Sequence, residues 1–215
     1  MNRVIQLTND GSSTIVLPEK GITYHNTSGA IGESLHVFIN AGLKHVVTTT
    51  KTTQLSIFEM GFGTGLNALL TWQFAQQQQV AINYTSIELY PILPEEASLL
   101  NYRQQLQMTD EFTQLHQCAW EIPIVLDKKF TITKTKQSLL NYTAIHQFNI
   151  IYYDAFAPKN QPELWTIEVF EKLYQMLLPN GILVTYCSKG DVKRTMKAVR
   201  FRVKRLKGLL TNGIC

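Results

Sequence analysis

The 215-residue chain is short of several things, and each shortage removes a class of function. No stretch approaches the roughly 20 consecutive apolar residues that a membrane span needs. The opening MNRVIQLTND has no charged-then-apolar leader pattern, so the chain is expected to be cytoplasmic. There are three cysteines, Cys118, Cys187 and Cys215, far apart and odd in number. No CxxC and no cysteine–histidine pairing at ligand spacing accompanies them, which reads as reduced, buried thiols. The five histidines, His25, His36, His45, His116 and His146, are scattered too, and no metal site is expected. No internal repeat or low-complexity segment is present; QQQQ at 76–79 is too short to count.

What is present fits one α/β domain with room for a small appendage and a sizeable core: 45% of residues are apolar, ordinary for a globular chain. The net charge of +4 is unevenly spread. Between Lys189 and Lys207 nine basic residues face one acid, Asp191, a net of +8 that leaves −4 for the rest. A basic C-terminal segment on an acidic body fits an anionic partner, and fits equally a solvated helix and strand face.

Short β-like runs, VIQLT, TIVLP and GITYH, surround the turn-forming NDGSS and predict a small N-terminal β-hairpin region over residues 1–27. In SGAIGESLHVFINAGLKHVV (28–47), Ile31, Leu35, Phe38, Ile39 and Leu43 recur at helical spacing. From residue 55 strands alternate with helices. LSIFEM, INYTSIEL, FTITK, QFNIIYYD and GILVTYC read as strands. GLNALLTWQFAQ, LPEEASLLNYRQQL, DEFTQLHQ, ELWTIEVFEKLYQMLL (stopped by PNG) and the basic DVKRTMKAVRF read as helices. This predicts an α/β fold, a mainly parallel sheet with helices on both faces, over residues 28–215. Ligands in such sheets bind beyond the carboxyl ends of the strands. The chemistry is therefore expected just after Met60, Leu89, Asp154 and Lys134.

EMGFGTGLN (59–67) follows the first of these strands. Gly61, Gly63 and Gly65 form a tight strand-to-helix turn that lets backbone approach a ligand. Two Rossmann-like uses compete. A dinucleotide fold spaces its glycines GxGxxG against a diphosphate; here the spacing is GxGxG, with Glu59 two residues ahead. A carboxylate beside that turn suits a cofactor with a cationic amino-acid end. Glu88 ends the next strand, where a carboxylate can accept from a ribose diol in either class. Glu59, the glycine spacing and Glu88 together favour a methyl donor over NAD.

The stretch IIYYDAFAPKNQPELW (150–165) runs an apolar strand into a carboxylate, Asp154, and then into a loop stiffened by Pro158 and Pro162. A carboxylate there is costly to leave unpaired. Asp154 can hold an ammonium, take a proton, or orient an N–H. Phe156 offers a ring for stacking. Asp154 as a helix N-cap, and Phe156 and Trp165 as plain core, are the alternatives.

GFGTGLN, the Glu88 strand end, DAFAPKNQPELWT (154–166) and SGAIGESLHVFINAGL (28–43) together resemble the methyltransferase domain of the MnmC/MnmD family, from about residue 20 to 205. The resemblance implies a class I, Rossmann-like fold and S-adenosyl-L-methionine as cofactor. It implies N-methylation of an aminomethyl(thio)uridine at the wobble position of the tRNA anticodon loop. Mapped on this sequence, Asp154 meets the acceptor amine. Gly61, Phe62, Gly63, Gly65 and Asn67 form the cofactor turn with Glu59 close by, Glu88 takes the ribose, and Glu33 lies against the cofactor or the catalytic loop. Phe156 and Pro158 face the substrate, and Lys193 and Arg194 in the basic segment meet tRNA phosphates. The sequence departs from the pattern in three places. Where many class I enzymes carry an acid for the adenine amino group, KTKQSLLNY offers Gln137 and Ser138. The ending KGLLTNGIC lacks the family's glycine- and lysine-rich close, which predicts a shortened or altered final strand. No oxidase domain follows within the 215 residues, so methyl transfer alone is expected. A small-molecule amine methyltransferase, a non-catalytic tRNA- or nucleotide-binding protein and an NAD oxidoreductase are the competing functions.

Overall fold

Side-chain alternation along two central strands organises the molecule, which is known from a computed structural model describing residues 2–206. In β4 (Gln54–Met60), Leu55 and Ile57 face one side and Phe58 the other; in β8 (Phe148–Tyr153), Ile150 and Tyr152 face one side and Ile151 and Tyr153 the other. Both strands are buried on both faces, as parallel strands between helical layers must be. They sit in a six-stranded sheet with β5 (Ala81–Ile87), β6 (Pro123–Val125), β7 (Phe130–Thr135) and β9 (Leu177–Val184), in the order β6-β7-β5-β4-β8-β9. Every pairing is parallel except β6 with β7, a strand absent from the sequence reading. The chain leaves β4 toward β5 on one side and returns to β8 on the other, so the gap beyond the carboxyl ends of β4 and β8 is a topological switch point.

One face is covered by α3 (Leu66–Gln78), α6 (Thr109–Gln117) and the long helical segment over residues 30–50. That segment is α1 (Ala30–Ser34), a π-helix (Leu35–Lys44) and α2 (His45–Thr50), where one continuous α-helix was expected. At Gly42 the π-helix comes so close to the sheet that a Cβ would lie 3.2 Å from Val184 and 3.4 Å from Tyr152. The opposite face is covered by α7 (Ile167–Gln175) and α8 (Gly190–Ala198), which bury Val169, Phe170, Leu173, Val192 and Met196 against Phe58, Ile151 and Tyr153.

Three expected elements are redrawn. The helix opening on Pro94 is two short ones, α4 (Pro94–Ser98) and α5 (Tyr102–Gln105), because Asn101 between them is used elsewhere. Its side chain accepts from Ser13 N at 2.9 Å and donates to Gly11 O at 2.8 Å. The helix expected from Glu163 starts at Ile167, capped by Thr166, whose side chain accepts from Val169 N. PNG lies within β9 as a bulge: pairing jumps from Phe148↔Leu177 to Ile150↔Ile182, and the strand ends at Val184.

The N-terminal region is a three-stranded antiparallel sheet, β1 (Val4–Leu7), β2 (Ser13–Leu17) and β3 (Ile22–Thr23). It is pinned to α4 and α5 by the Asn101 bonds, by Tyr102 Oη donating to Ser13 O at 2.5 Å, and by Arg3 pairing with Glu96 at 2.9 Å. Among the described residues no helix is long and apolar enough to cross a membrane. Cys118 and Cys187 are free and half-buried, less enclosed than expected. Cys215 and the atypical ending from Lys207 lie outside the described residues.

Candidate functional site

Four of the strand ends named from the sequence meet around one cavity of about 170 Å³. Its wall includes Met60 to Thr64 after β4, Ile87 to Tyr90 after β5, Gln137 to Leu140 after β7 and Asp154 to Phe156 after β8. The first turn is built by glycines in the left-handed region, Gly61 (φ 93°), Gly63 (φ 50°) and Gly65 (φ 73°). Gly61 and Gly63 line the cavity. Gly65 packs away from it, where a Cβ would meet His116 Nε2 at 3.0 Å and Phe62 at 3.1 Å. Phe62 touches the cavity, and its ring rests edge-on against His116 and Trp120 with the buried Lys134 ammonium 5.3 Å from its centre.

Asp154 stands where β8 ends. Its N–H donates to Met60 O at 3.1 Å, tying it to the strand beside it, and its Oδ2 accepts from Asn67 Nδ2 at 2.9 Å. The carboxyl opens on the cavity and is otherwise enclosed, and burial, with the nearby charges of Glu33 and Glu59, raises its pKa well above the usual carboxylate range. With Thr166 capping α7, the N-cap reading of Asp154 falls away. The loop after it is fixed at each backbone position: Ala155 O accepts from Tyr186 Oη at 2.8 Å, Phe156 N donates to Gln161 Oε1 at 2.9 Å, and Phe156 O accepts from Trp165 Nε1 at 2.8 Å. Trp165 is therefore core and anchor at once, packed on Tyr153 and Phe170.

Glu88 lies one residue beyond β5 and lines the cavity. Its two oxygens each accept one backbone N–H, from Gly63 at 3.1 Å and Tyr90 at 2.8 Å, so the glycine turn and this carboxylate hold each other in place. A carboxylate has about four acceptor positions, so two remain for a ligand. Gln137 lines the cavity from the β7 side, its amide donating to Asn141 O at 3.2 Å.

Several candidates are not brought to the cavity wall. Glu59 is 0% exposed. It lies on the Leu55–Ile57 face of β4, under α3, and its Oε2 accepts from Ser86 Oγ at 2.6 Å. Glu33, in the first turn of α1, accepts from Asn26 N at 3.0 Å; burial raises its pKa, and its charge is felt at Asp154. Pro158 is half-buried in the loop and off the wall. Lys193 lines a second, larger groove along β9, and Arg194 is exposed and paired with Asp191. The basic helix and the cavity thus occupy different surfaces.

Sequence reasoning missed the contribution of the N-terminal sheet. Leu17, Lys20, Ile22, Tyr24 and His25 complete the wall, and the Tyr24 ring meets Phe156 edge-on with centroids 5.2 Å apart. His25, held between Thr14 and Thr64, is buried, which pushes its pKa down to about 4.

The cavity suits a cationic ligand. Asp154, Glu88 and Glu163 face Lys20 alone, and the described residues place no basic partner on Asp154, Glu33 or Glu59. The Asn67 Oδ1 atom is buried without a partner beside the turn. A sulfonium with an ammonium-bearing tail meets that acid-rich, glycine-floored shape. Among the described residues no group of three or more His, Cys, Asp or Glu side chains is arranged to hold a metal ion.

Comparison with known proteins gives the same picture. A family model described as S-adenosyl-L-methionine-dependent methyltransferase matches residues 100–212. The tRNA 5-methylaminomethyl-2-thiouridine biosynthesis bifunctional protein MnmC of Pseudomonas fluorescens (strain Pf0-1) is 30% identical over 200 residues, covering 86% of this chain and 30% of the relative. The protein of the same name from Cupriavidus necator is 29% identical over 204 residues, covering 89% of this chain and 30% of the relative. The chain thus spans 30% of the length of these relatives. The crystal structure of MNMC2 from Aquifex aeolicus superposes with a TM-score of 0.79 at 21% identity, covering 97% of this chain and 67% of that one.

Proposed function

Because the chain belongs to the S-adenosyl-L-methionine-dependent methyltransferase family, we propose that it N-methylates the aminomethyl group of a wobble (2-thio)uridine in the anticodon loop of tRNA. The observation that carries this reading is Asp154, a carboxylate to which the described residues bring no cation, held by Asn67 on the wall of an acid-rich cavity. Relatives named for methylaminomethyl-2-thiouridine biosynthesis support the substrate class. The cofactor supplies a methyl group bound to a positively charged sulfur.

The chain's own part is binding, orientation and proton handling. The Gly61 and Gly63 backbone forms the floor, Glu88 offers its free acceptor positions to a ribose diol, and Gln137 offers a neutral amide to a base edge. Phe156 and Tyr24 present an aromatic corner against which a nucleobase stacks, with Pro158 stiffening the loop behind it. An alkylamine is mostly protonated at neutral pH and attacks only when its lone pair is free. Asp154 receives that ammonium, and its raised pKa makes it the better acceptor of the proton released. The attacking nitrogen must lie about 3 Å from the methyl carbon, in line with the bond that breaks. The anchored loop over 154–156 fixes the side chain that aims it. Lys193, Arg194 and Lys197 on α8 contribute phosphate contacts at a distance from the reacting atoms.

The direct test supplies the purified protein and S-adenosyl-L-methionine to tRNA carrying unmethylated aminomethyl(2-thio)uridine, and follows nucleosides by mass spectrometry. A gain of one methyl on that nucleoside is expected; cofactor binding without product at saturation would leave a binding protein in its place. Replacing Lys193, Arg194 and Lys197 together by alanine is expected to weaken tRNA binding and to flatten its log–log salt dependence by about two. An unchanged slope would remove α8 from the interface.

A further inference from the structure

Glu59 is spare in the mechanism above, and its surroundings are unusual. Three buried polar atoms near it lack hydrogen-bond partners among the described residues: Glu59 Oε1 itself, Asn67 Oδ1 and Tyr84 Oη. They lie on one face of the sheet, beneath the N-terminal turn of α3, with Asn67 only 3% exposed. The Asn67 amide stands between two carboxyl groups. It donates to Asp154 Oδ2 at 2.9 Å and lies close enough to Glu59 to act on its titration, as does the Tyr84 hydroxyl. The other groups facing Glu59 are Ser86 on β5, which donates to Oε2, Glu88 just beyond it, and Tyr152 and Asp154 at the end of β8. No cation is among them.

We infer that Glu59 is a positioning residue that stands as a neutral carboxylic acid and fixes Asp154 through Asn67, its own O–H meeting one of the unpaired oxygens beside it. The Tyr84 hydroxyl can donate to Glu59 in either protonation state, so the atom that tells the states apart is Asn67 Oδ1, a bare acceptor that a protonated Glu59 can serve and an ionised one cannot. The proton also removes the negative charge behind Asp154, which is left as the acid of the pair that ionises when a cation enters the cavity. Burial supports this by pushing the Glu59 carboxyl up to about 7. Asp154 opens on the cavity, where an arriving cation favours its ionised form; Glu59 has no such access. Two acids on one amide thus take opposite states once the cavity holds a cation.

The inference rests on the methyl-transfer reading for its kinetic arm only; the spectroscopic arm needs neither cofactor nor substrate. In infrared spectra of the ligand-free protein at pH 6, the C=O stretch of a protonated carboxylic acid is expected. A component of it should persist in Asp154→Asn and be absent from Glu59→Gln, separate from any that Asp154 contributes. The sign of the stability effect follows from the raised folded-state pKa. The unfolded chain loses this proton near pH 4.5 and the folded chain near 7, so stability is full below that window and falls as pH rises through it. Glu59→Gln removes that slope, and its Tm advantage over the wild type should widen from pH 5 to pH 8. In turnover, Glu59→Leu should lose about 100-fold in kcat with cofactor affinity nearly unchanged, and Glu59→Gln should recover at least about tenfold of that loss. Absence of the Glu59-dependent band overturns the inference. So does a Glu59→Gln enzyme whose cofactor binding weakens about tenfold at unaltered kcat, because Glu59 would then be an anion facing the cofactor. Should Glu59→Leu fail to fold, the wild-type and Glu59→Gln spectra decide alone.

Discussion

Replacing Asp154 by alanine is expected to lower turnover about 100- to 1,000-fold while S-adenosyl-L-methionine affinity stays within about threefold. On the proposed reading the carboxyl meets the acceptor amine, so its loss is felt in the step and not in cofactor binding. An equal fall in both would assign Asp154 to the cofactor wall. Asp154→Asn separates orientation from proton acceptance, because the amide keeps a polar contact with Asn67 but takes no proton at working pH. It should behave like alanine if the proton matters. The pH profile carries a further sign. Burial first, and after it the charge of Glu33, hold the Asp154 pKa above its usual range. Activity that needs the carboxylate should therefore fall as pH drops through that raised value. Glu33→Gln removes one repelling charge and should move this acid limb to lower pH. A limb that stays in place, measured as kcat/KM against pH with both enzymes folded, would detach Glu33 from Asp154.

The strand ends were legible because their cause is local. An apolar run that stops at a glycine turn, or at a carboxylate followed by prolines, announces itself within about ten residues. That is why the turn after Met60 and the acid after Tyr153 were placed beside one cavity from the sequence. What escaped depends on partners far along the chain. The break at residues 99–101 exists because Asn101 serves Gly11 and Ser13, about 90 positions earlier. Tyr24 reaches the cavity because β3 and the residues after it form part of its wall and the Tyr24 ring meets Phe156, and nothing in GITYH alone says so. Glu59 was legible as an acid beside the turn but not as a buried one. Its parity with Leu55 and Ile57 carried the signal, but only once α3 was known to cover that face. In β9 the Pro179–Asn180–Gly181 triplet reads as a stop, yet Leu177 already pairs with Phe148, so the three residues are a bulge inside a strand.

Gly61→Ala should cost more than any other single methyl in the turn, and the reason is which atom it strikes. Gly61 sits at φ 93°, a conformation that a side chain strains by about 1–3 kcal/mol. The added Cβ would lie 3.1 Å from the carbonyl oxygen of Asp154 and 3.7 Å from its carbonyl carbon. These are backbone atoms, so no rotamer change relieves the contact, and the two strand ends must part. They are coupled already by Asp154 N donating to Met60 O, and the turn is tied on its other side to β5 by Gly61 N donating to Ile87 O at 3.0 Å. Spreading β4 from β8 therefore disturbs the turn and the carboxyl together, and a displacement of about 1 Å at a reacting group is enough for a loss of about 100-fold in rate. Gly11→Ala supplies the comparison. Gly11 is also left-handed, at φ 80°, but its Cβ would meet only the Gln105 side chain, at an ordinary 3.8 Å. It should pay the conformational strain and show it in Tm, with turnover little altered. If Gly61→Ala loses no more activity than Gly11→Ala at equal folded fraction, the contact between the turn and the Asp154 backbone does not set the geometry of the site.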